Sequence, residues 1–275
     1  MLATVALPLA PVIANQFRSE IARWYLAEAT NRIKSDKPTS TLVSQAQAWA
    51  QQDIEDLRDY WIFRAEQTLH DAPQEVAAVL RQAVEHDKSN FFLAHDYAER
   101  LAAGSYFEEA AQTLEVGTIP ELKDEPLILN GLAYFRALAG IDLDRALEEI
   151  ERALATNPKS AAMRDTRAWV LFKMGKPLDA LEDANFAIEA LQAEVPTHWL
   201  DQTLHWLDEN LAGPPEPSVP GRTLTRREAG EQLWGTGALY YHRAKILEAL
   251  GRTDQAQADL LWLRQRHLPE DDRIY

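Results

Sequence analysis

The sequence predicts an all-α protein built as a stack of antiparallel helical hairpins. Glycine is sparse, with 11 among 275 residues, while residues that favour helix are abundant. Hydrophobic residues make up 46% of the chain and charged residues 26%, as in an ordinary folded protein. The third and strongest observation is that small residues return along the chain at intervals of about one hairpin.

Small residues define three repeat positions. The first is occupied by Ala27, Ala65, Ala98, Ala133, Ala168 and Ala244, at intervals of 38, 33, 35, 35 and 76 residues, the last about two repeats long. The second follows 18 to 20 residues later, at Ala46, Ala83, Gly117, Ala153, Ala187 and Leu263. The third lies between them at Ala110, Ala146, Ala180 and Ala256. A glycine follows the first position by seven residues at Gly140, Gly175 and Gly251, and Gly104 comes one residue early.

This spacing has a physical explanation. Two helices joined by a short glycine turn need about 34 residues. Where the helices cross, small side chains let the backbones approach closely, and larger residues such as Trp61, Leu132 and Leu247 fill the rest of the interface. A single hairpin cannot bury both apolar faces, so the units are expected to stack.

The order of small residues, glycine and proline resembles the tetratricopeptide repeat. The similarity is strongest in residues 127–191 and fair in the last hairpin, which contains YYHRAKILEALGRTDQAQADLLWLRQRHLP. Trp61 stands four residues before Ala65, as the tryptophan of that motif does, while the first two units lack the turn glycine. The resemblance implies a right-handed α-solenoid, a superhelix in which the first helix of each hairpin lines a concave groove.

The same resemblance implies which residues face the groove. They are Phe92, His95, Glu99, Asn130, Tyr134, Asp165, Trp169, Phe172, Tyr241 and Lys245, with Trp24, Glu28, Ile62, Glu66 and Glu248 at corresponding places. This mixture of aromatic and acidic residues favours a peptide or protein partner with apolar anchors or basic flanks. The alternative is that the aromatic side chains pack between units as core.

Some members of the family bind the C-terminal carboxylate of chaperones through Lys, Asn and Arg. Here the corresponding pairs are Asn130 with Tyr134 and Asp165 with Trp169, so we predict no such clamp. The net charge of −15 also makes nucleic acid an improbable partner, because the protein would repel phosphates.

The first residues, MLATVALPLAPVIA, form an apolar run. The run is too short to span a membrane and contains Pro8 and Pro11. We interpret residues 1–15 as a flexible or docked N-terminal arm; a remnant of an export signal and part of a membrane anchor remain alternatives. Cytoplasmic localisation is favoured, and any membrane contact is expected through this arm.

Residues 193–229 interrupt the repeats. The domain organisation predicted is therefore repeats 1–5 over residues 16–192, a helical and proline-rich insertion over 193–229, and a final hairpin with an acidic tail over 230–275. A capping box at Thr225 and Glu228 predicts that a helix starts there. His198, Asp201, His205 and Asp208 share one helical stripe, but their spacing is wider than that of metal-binding helices.

We predict no catalytic residue, metal or cofactor. The chain lacks cysteine, and no metalloprotease, hydrolase or phosphate-loop motif is present. Paired carboxylates such as Glu108/Glu109 and Glu148/Glu149 are expected on solvated helix faces. The predicted function is a non-catalytic protein- or peptide-binding scaffold. The alternatives are a structural module of an exported or membrane-associated assembly and, more remotely, a metal-dependent enzyme that uses the insertion histidines.

Overall fold

The computed structural model describes residues 3–50, 54–194 and 226–271, and these residues form helices, turns and no strands. The chain divides into two compact units, Met1–Lys123 and Asp124–Tyr275. The α-helices of unit 1 are α1 (Ala3–Ile33), α2 (Ser40–Ala50), α3 (Arg58–Asp71), α4 (Val76–His86), α5 (Phe91–Ala103) and α6 (Phe107–Gly117). Those of unit 2 are α7 (Pro126–Ala139), α8 (Leu143–Thr156), α9 (Ala161–Lys173), α10 (Pro177–Glu194), α11 (Arg226–Ala249) and α12 (Thr253–Gln265).

Consecutive helices pack in pairs, which confirms the predicted all-helical architecture at this level. The pairs are α1/α2, α3/α4 and α5/α6 in unit 1, and α7/α8, α9/α10 and α11/α12 in unit 2. In unit 2 the first helices also contact one another, α7 with α9 and α9 with α11, and α10 contacts α11. In unit 1, α1 packs on α3 and α4 packs on α6. Side chains of the first helices in unit 2 can therefore meet across hairpins.

The small residues lie where the helices cross. Ala65, Ala98, Ala133, Ala168 and Ala244 are fully buried, and so are the alanines and Leu263 at the second and third repeat positions. A Cβ atom on Gly117 would lie 1.9 Å from the Cβ of Ala94. Glycine is therefore required at that crossing, because any side chain would overlap the neighbouring helix.

The residue predicted for the first repeat position of α1 is wrong. Ala27 is exposed, whereas Ala29 is fully buried in the core with Leu26 and Ala22. A two-residue difference rotates a position by about 200° around a helix, so it moves Ala27 to the opposite face. Ala27 and Ala29 both fit the spacing loosely, and only the packing selects between them.

The hairpin turns share one backbone conformation, which begins seven residues after the first repeat position. Gly140, Gly175 and Gly251 have φ angles of 71°, 76° and 69°. In unit 1 the corresponding left-handed residues are Asp36 and Ser105, with φ angles of 54° and 65°. The residue that follows the left-handed one donates its N–H to a carbonyl of the preceding helix. Arg252 donates to Leu247 at 2.9 Å, and Tyr106 donates to Leu101 at 2.9 Å. This bond satisfies a carbonyl that the helix end leaves unpaired.

Asp36 also supports the corrected register, because it lies seven residues after Ala29 and not after Ala27. Gly104 has a φ angle of −84°, so the left-handed position belongs to Ser105 and not to the glycine. The α3/α4 hairpin departs from the pattern: a 3-10 turn at Pro73–Glu75 joins its helices.

The N-terminal segment is helical. The backbone of residues 3–14 belongs to α1 and is continuous with the first hairpin, although we predicted an arm over residues 1–15. No helix in the described ranges is both long and apolar enough to cross a membrane.

The predicted insertion lies mostly outside the described residues, between Glu194 at the end of α10 and Arg226 at the start of α11. His198, Asp201, His205, Asp208 and the capping residue Thr225 fall in that gap. In the described ranges, no group of three or more potential metal ligands is assembled.

Candidate functional site

Three neighbouring helices of unit 2 carry predicted groove residues, and six of these residues are considered together. These helices are α7, α9 and α11, and the residues are Asn130, Tyr134, Asp165, Trp169, Phe172 and Tyr241. Together with His242 they form a cluster that we call the α9 site. The helices that carry these residues are held in place by the small residues at the first repeat position, which let α7, α9 and α11 pack on their partners.

His242 is at the centre of the α9 site. Its Nδ1 lies 2.8 Å from Oδ2 of Asp165, and its Nε2 lies 3.5 Å from the hydroxyl of Tyr134. The histidine is fully buried, and Asp165 is 4% exposed. These contacts join α11 to α9 and α7 through polar groups in an otherwise apolar environment, where hydrogen bonds are electrostatically stronger than in water.

Trp169 forms the aromatic part of the site. Its ring stacks on the His242 ring with a centroid distance of 4.1 Å and on the Phe172 ring at 5.0 Å. The ammonium group of Lys173 lies 4.9 Å from the Trp169 ring centroid, a cation–π distance. Because Trp169 is only 1% exposed, its side chain belongs to the packed core between the helices. The partner-accessible part of the groove is therefore not formed by this ring.

Three polar atoms of the site have no hydrogen-bond partner among the described residues. They are Oδ1 of Asp165, Nε1 of Trp169 and Oδ1 of Asn130, and each is buried. An unpaired buried polar group costs about 1–3 kcal/mol, and more if it is charged. Such groups call for a functional explanation, and these three lie on two adjacent first helices.

Solvent reaches the site through its half-buried residues. Tyr134, Phe172, Asn130 and Lys245 are half-buried, while Tyr241 is buried. Lys245 forms an ion pair with Glu248 at 2.6 Å. Tyr134 and Phe172 are thus residues of the α9 site that both contact its interior and present surface to solvent.

The predicted groove residues of unit 1 are more exposed. Phe92 is 59% exposed and packs against Phe91 with a centroid distance of 4.0 Å and tilted rings. His95 and Glu99 are exposed on the same helix, α5. Desolvation of its carboxyl group raises the pKa of Glu99, and the nearby Asp96 adds to this effect while His95 opposes it.

Glu66 of α3, another predicted groove residue, is engaged within unit 1. Arg100 of α5 donates to both of its carboxylate oxygens, at 2.7 and 2.9 Å. Its carboxylate therefore links two hairpins. Trp24, in α1, is 61% exposed and packs edge-on against Tyr25.

The sequence analysis missed His242 entirely. No spacing rule selects it, because its partner Asp165 is 77 residues away in the chain. It also missed a recurring buried acid, which lies three residues after the third repeat position at Glu149, Asp183 and Asp259. Glu149 was expected on a solvated surface and is instead buried, whereas its neighbour Glu148 is exposed. The regular recurrence of these acids was the signal that could have revealed them.

The buried acids hold the hairpins of unit 2 together. Arg136 of α7 donates to Glu149 of α8 at 2.5 Å. Arg167 of α9 contacts both oxygens of Asp183 of α10, at 2.6 and 2.8 Å, and Arg243 of α11 contacts both oxygens of Asp259 of α12. Because guanidinium groups match carboxylates in geometry, each pair fixes the two helices of one hairpin.

The hydroxyl, imidazole and carboxylate of Tyr134, His242 and Asp165 include the group types of nucleophilic catalysis. However, the Tyr134–His242 distance of 3.5 Å exceeds the 2.6–3.2 Å or so that proton transfer needs. His242 is also fully buried. The three side chains link α7, α9 and α11.

Comparison with known proteins gives little further information. No family model matches the chain. A FAM10 family protein of Arabidopsis thaliana is 45% identical over 53 residues, which cover 19% of this chain and 12% of that protein. The chain thus aligns with only about an eighth of that relative, and this match does not establish a family.

Proposed function

We propose that the protein is a non-catalytic scaffold that binds a protein or peptide partner along the first helices of unit 2. In this proposal the hairpins form a right-handed solenoid of the tetratricopeptide type, and α7, α9 and α11 line its concave face. The observation that carries the proposal is the α9 site, where unpaired buried polar atoms lie beside half-buried aromatic side chains. This combination is typical of sites that anchor a partner through a few residues.

The spacing of the first helices supports an extended or helical peptide as the ligand. Tyr134 and Phe172 provide apolar contact area on α7 and α9, and the amide of Asn130 is placed to bond a peptide backbone. Acidic residues outnumber basic ones by 43 to 28, which favours a partner with basic flanks. Charges of that kind mainly accelerate association and select among partners.

The test is affinity capture with the full chain, followed by mass spectrometry and a direct binding measurement with the partner identified. Phe172→Ala is the variant of choice, because Phe172 is half-buried and its removal should leave the helices folded. We expect the affinity to fall by about tenfold or more, since truncating an anchoring aromatic residue typically costs at least 1–2 kcal/mol.

Leu178→Ala is the matched control. Leu178 is a 68% exposed apolar residue of α10, a second helix of its hairpin and so outside the proposed surface. Its truncation should leave the affinity unchanged. Equal losses in the two variants, or no loss in Phe172→Ala, would place the binding surface elsewhere.

A further inference from the structure

Among the described residues, the buried carboxylates are bound by arginine, with one exception. In the described part of the chain the buried acids are Glu66, Glu149, Asp165, Asp183 and Asp259. In four of them both oxygens are bound by arginine. Glu66 is bound by Arg100, Glu149 by Arg136 and Arg145, Asp183 by Arg164 and Arg167, and Asp259 by Arg243.

Asp165 is the exception. One oxygen faces Nδ1 of His242 at 2.8 Å, while Oδ1 is buried without a hydrogen-bond partner among the described residues. A buried charge is tolerated only when it is paired and hydrogen-bonded. Imidazole offers one nitrogen to Asp165, whereas guanidinium would offer two parallel donors. The site at Asp165 therefore lacks the group that completes every other buried acid in the described ranges.

We infer that an arginine side chain of the partner peptide binds at Asp165, in an inference that rests on the proposed scaffold function. The guanidinium donates to Oδ1 of Asp165 and packs beside the aromatic rings of the α9 site. Arginine is suited to such a position because it is planar, weakly hydrated and stacks on aromatic faces. Oδ1 of Asp165 is buried, so the guanidinium reaches it only when neighbouring side chains move aside.

A second unpaired atom fits the same ligand. Oδ1 of Asn130 is a buried acceptor on α7, the helix that packs on α9, and can bond either the guanidinium or a peptide N–H. Two acceptors match an arginine side chain, which offers several donors and no acceptor.

The experiment uses the full chain and pools of short fluorescein-labelled peptides. Each pool has random flanking positions and one fixed central residue, which is arginine, lysine, citrulline or glutamine. Citrulline is the decisive control, because it keeps the length and shape of arginine and replaces the charged guanidinium by a neutral urea group. Fluorescence anisotropy gives the dissociation constant of each pool, and this comparison needs no variant protein.

We expect the arginine pool to bind at least about tenfold more tightly than the citrulline pool, because a desolvated charge pair is lost with citrulline. In Asp165→Asn this preference should disappear, while the helical content measured by circular dichroism is retained. Asp183→Asn is the matched control: Asp183 is equally buried but already bound by two arginines, so this variant should keep the preference.

The outcomes separate the two proposals. Binding of all pools with equal affinity, or an arginine preference that survives in Asp165→Asn, would overturn the arginine site and leave the scaffold function standing. Failure of every pool to bind would contradict the scaffold function itself. Loss of the preference in both aspartate variants would show that it depends on overall stability and would also overturn the site.

Discussion

The two units build the same hairpin in different ways. In unit 2 the left-handed turn residue is glycine in all three hairpins, at Gly140, Gly175 and Gly251. In unit 1 the same position carries Asp36 and Ser105, and the α3/α4 hairpin uses a 3-10 turn instead. The turn conformation is thus conserved between the units while its residue is not, because the backbone bond across the turn can form with any residue that reaches a left-handed φ.

The buried ion pairs also differ between the two units. In unit 2 the buried acids of the second helices, Glu149, Asp183 and Asp259, each bind an arginine of their own hairpin. In unit 1, Glu66 instead binds Arg100 of the next hairpin. The position of the buried acid is taken in α6 by Thr113, whose buried hydroxyl has no partner in the described ranges. The comparison shows that close backbone contacts occur in both units, whereas buried ion pairs join the two helices of one hairpin in unit 2 and join neighbouring hairpins at Glu66 of unit 1.

The largest effect is expected when an ion pair of unit 2 is broken. Glu149→Ala removes the buried carboxylate that Arg136 and Arg145 both bind, which should lower the free energy of unfolding by about 3–5 kcal/mol. Urea denaturation measures this loss. Glu148→Ala, at the exposed neighbouring residue, should change the same quantity by less than about 0.5 kcal/mol; similar effects in the two variants would contradict the role assigned to the pair.

A second substitution tests the close contact in unit 1. In Gly117→Ala the new Cβ overlaps Ala94, which should destabilise the protein by about 1–3 kcal/mol in urea denaturation. The double variant Ala94→Gly/Gly117→Ala moves the methyl group to the other helix and should recover much of the loss. If the double variant is less stable than Gly117→Ala, the overlap is not the cause.

Substitutions at the left-handed turn residues of the two units should change stability in opposite directions. Gly175→Ala should destabilise by about 1 kcal/mol, because a left-handed φ is unfavourable for alanine, and no atom lies within 4 Å of the added Cβ. Ser105→Gly should give a smaller stabilisation, because relief of the same strain is partly offset by the greater freedom of glycine in the unfolded chain. Thermal unfolding checks both, and a destabilising Ser105→Gly would refute the strain at that turn.

The smallest expected effect concerns pH. Oδ1 of Asp87 accepts the N–H of Ser89 at 2.8 Å, and this bond lowers the pKa of the Asp87 carboxyl below its usual range. A folded-state pKa below the unfolded value means that the stabilisation is present above about pH 3.9 and is lost as the pH falls through the folded value. NMR titration of Asp87 measures the pKa directly.

Asp87→Asn provides the control for this pH dependence. The difference in free energy of unfolding between wild type and variant should shrink as the solution becomes acidic. A difference that is constant with pH would mean that the carboxylate charge has no part in the bond.

Much of the fold could be predicted from the sequence, because close approach of two helix backbones requires small residues at regular positions. Small residues let two helices approach closely where they cross, so Ala65, Ala98 and Ala133 recur at nearly fixed spacing, and their burial was predicted correctly. The spacing did not identify the buried alanine of α1, where Ala27 and Ala29 were equally plausible. A choice between adjacent alanines depends on which face meets the neighbouring helix.

The candidate site was predictable only in part. The sequence proposed Asn130, Tyr134, Asp165 and Trp169 as one group, and the structure places them on the adjacent helices α7 and α9. It left open whether Trp169 lies in the groove or in the core, because burial of an aromatic residue depends on residues from α11 that are distant in the chain.

By itself, then, the sequence determined the helices, their pairing and the turns at Gly140, Gly175 and Gly251. These features depend on the conformational preference and the side-chain size of each residue, and both are properties of the residue type alone. Only the tertiary structure decided that Glu149 is buried and Glu148 exposed, and that His242 meets Asp165. Burial and ion pairing are properties of neighbours brought together by folding, so no single segment contains them.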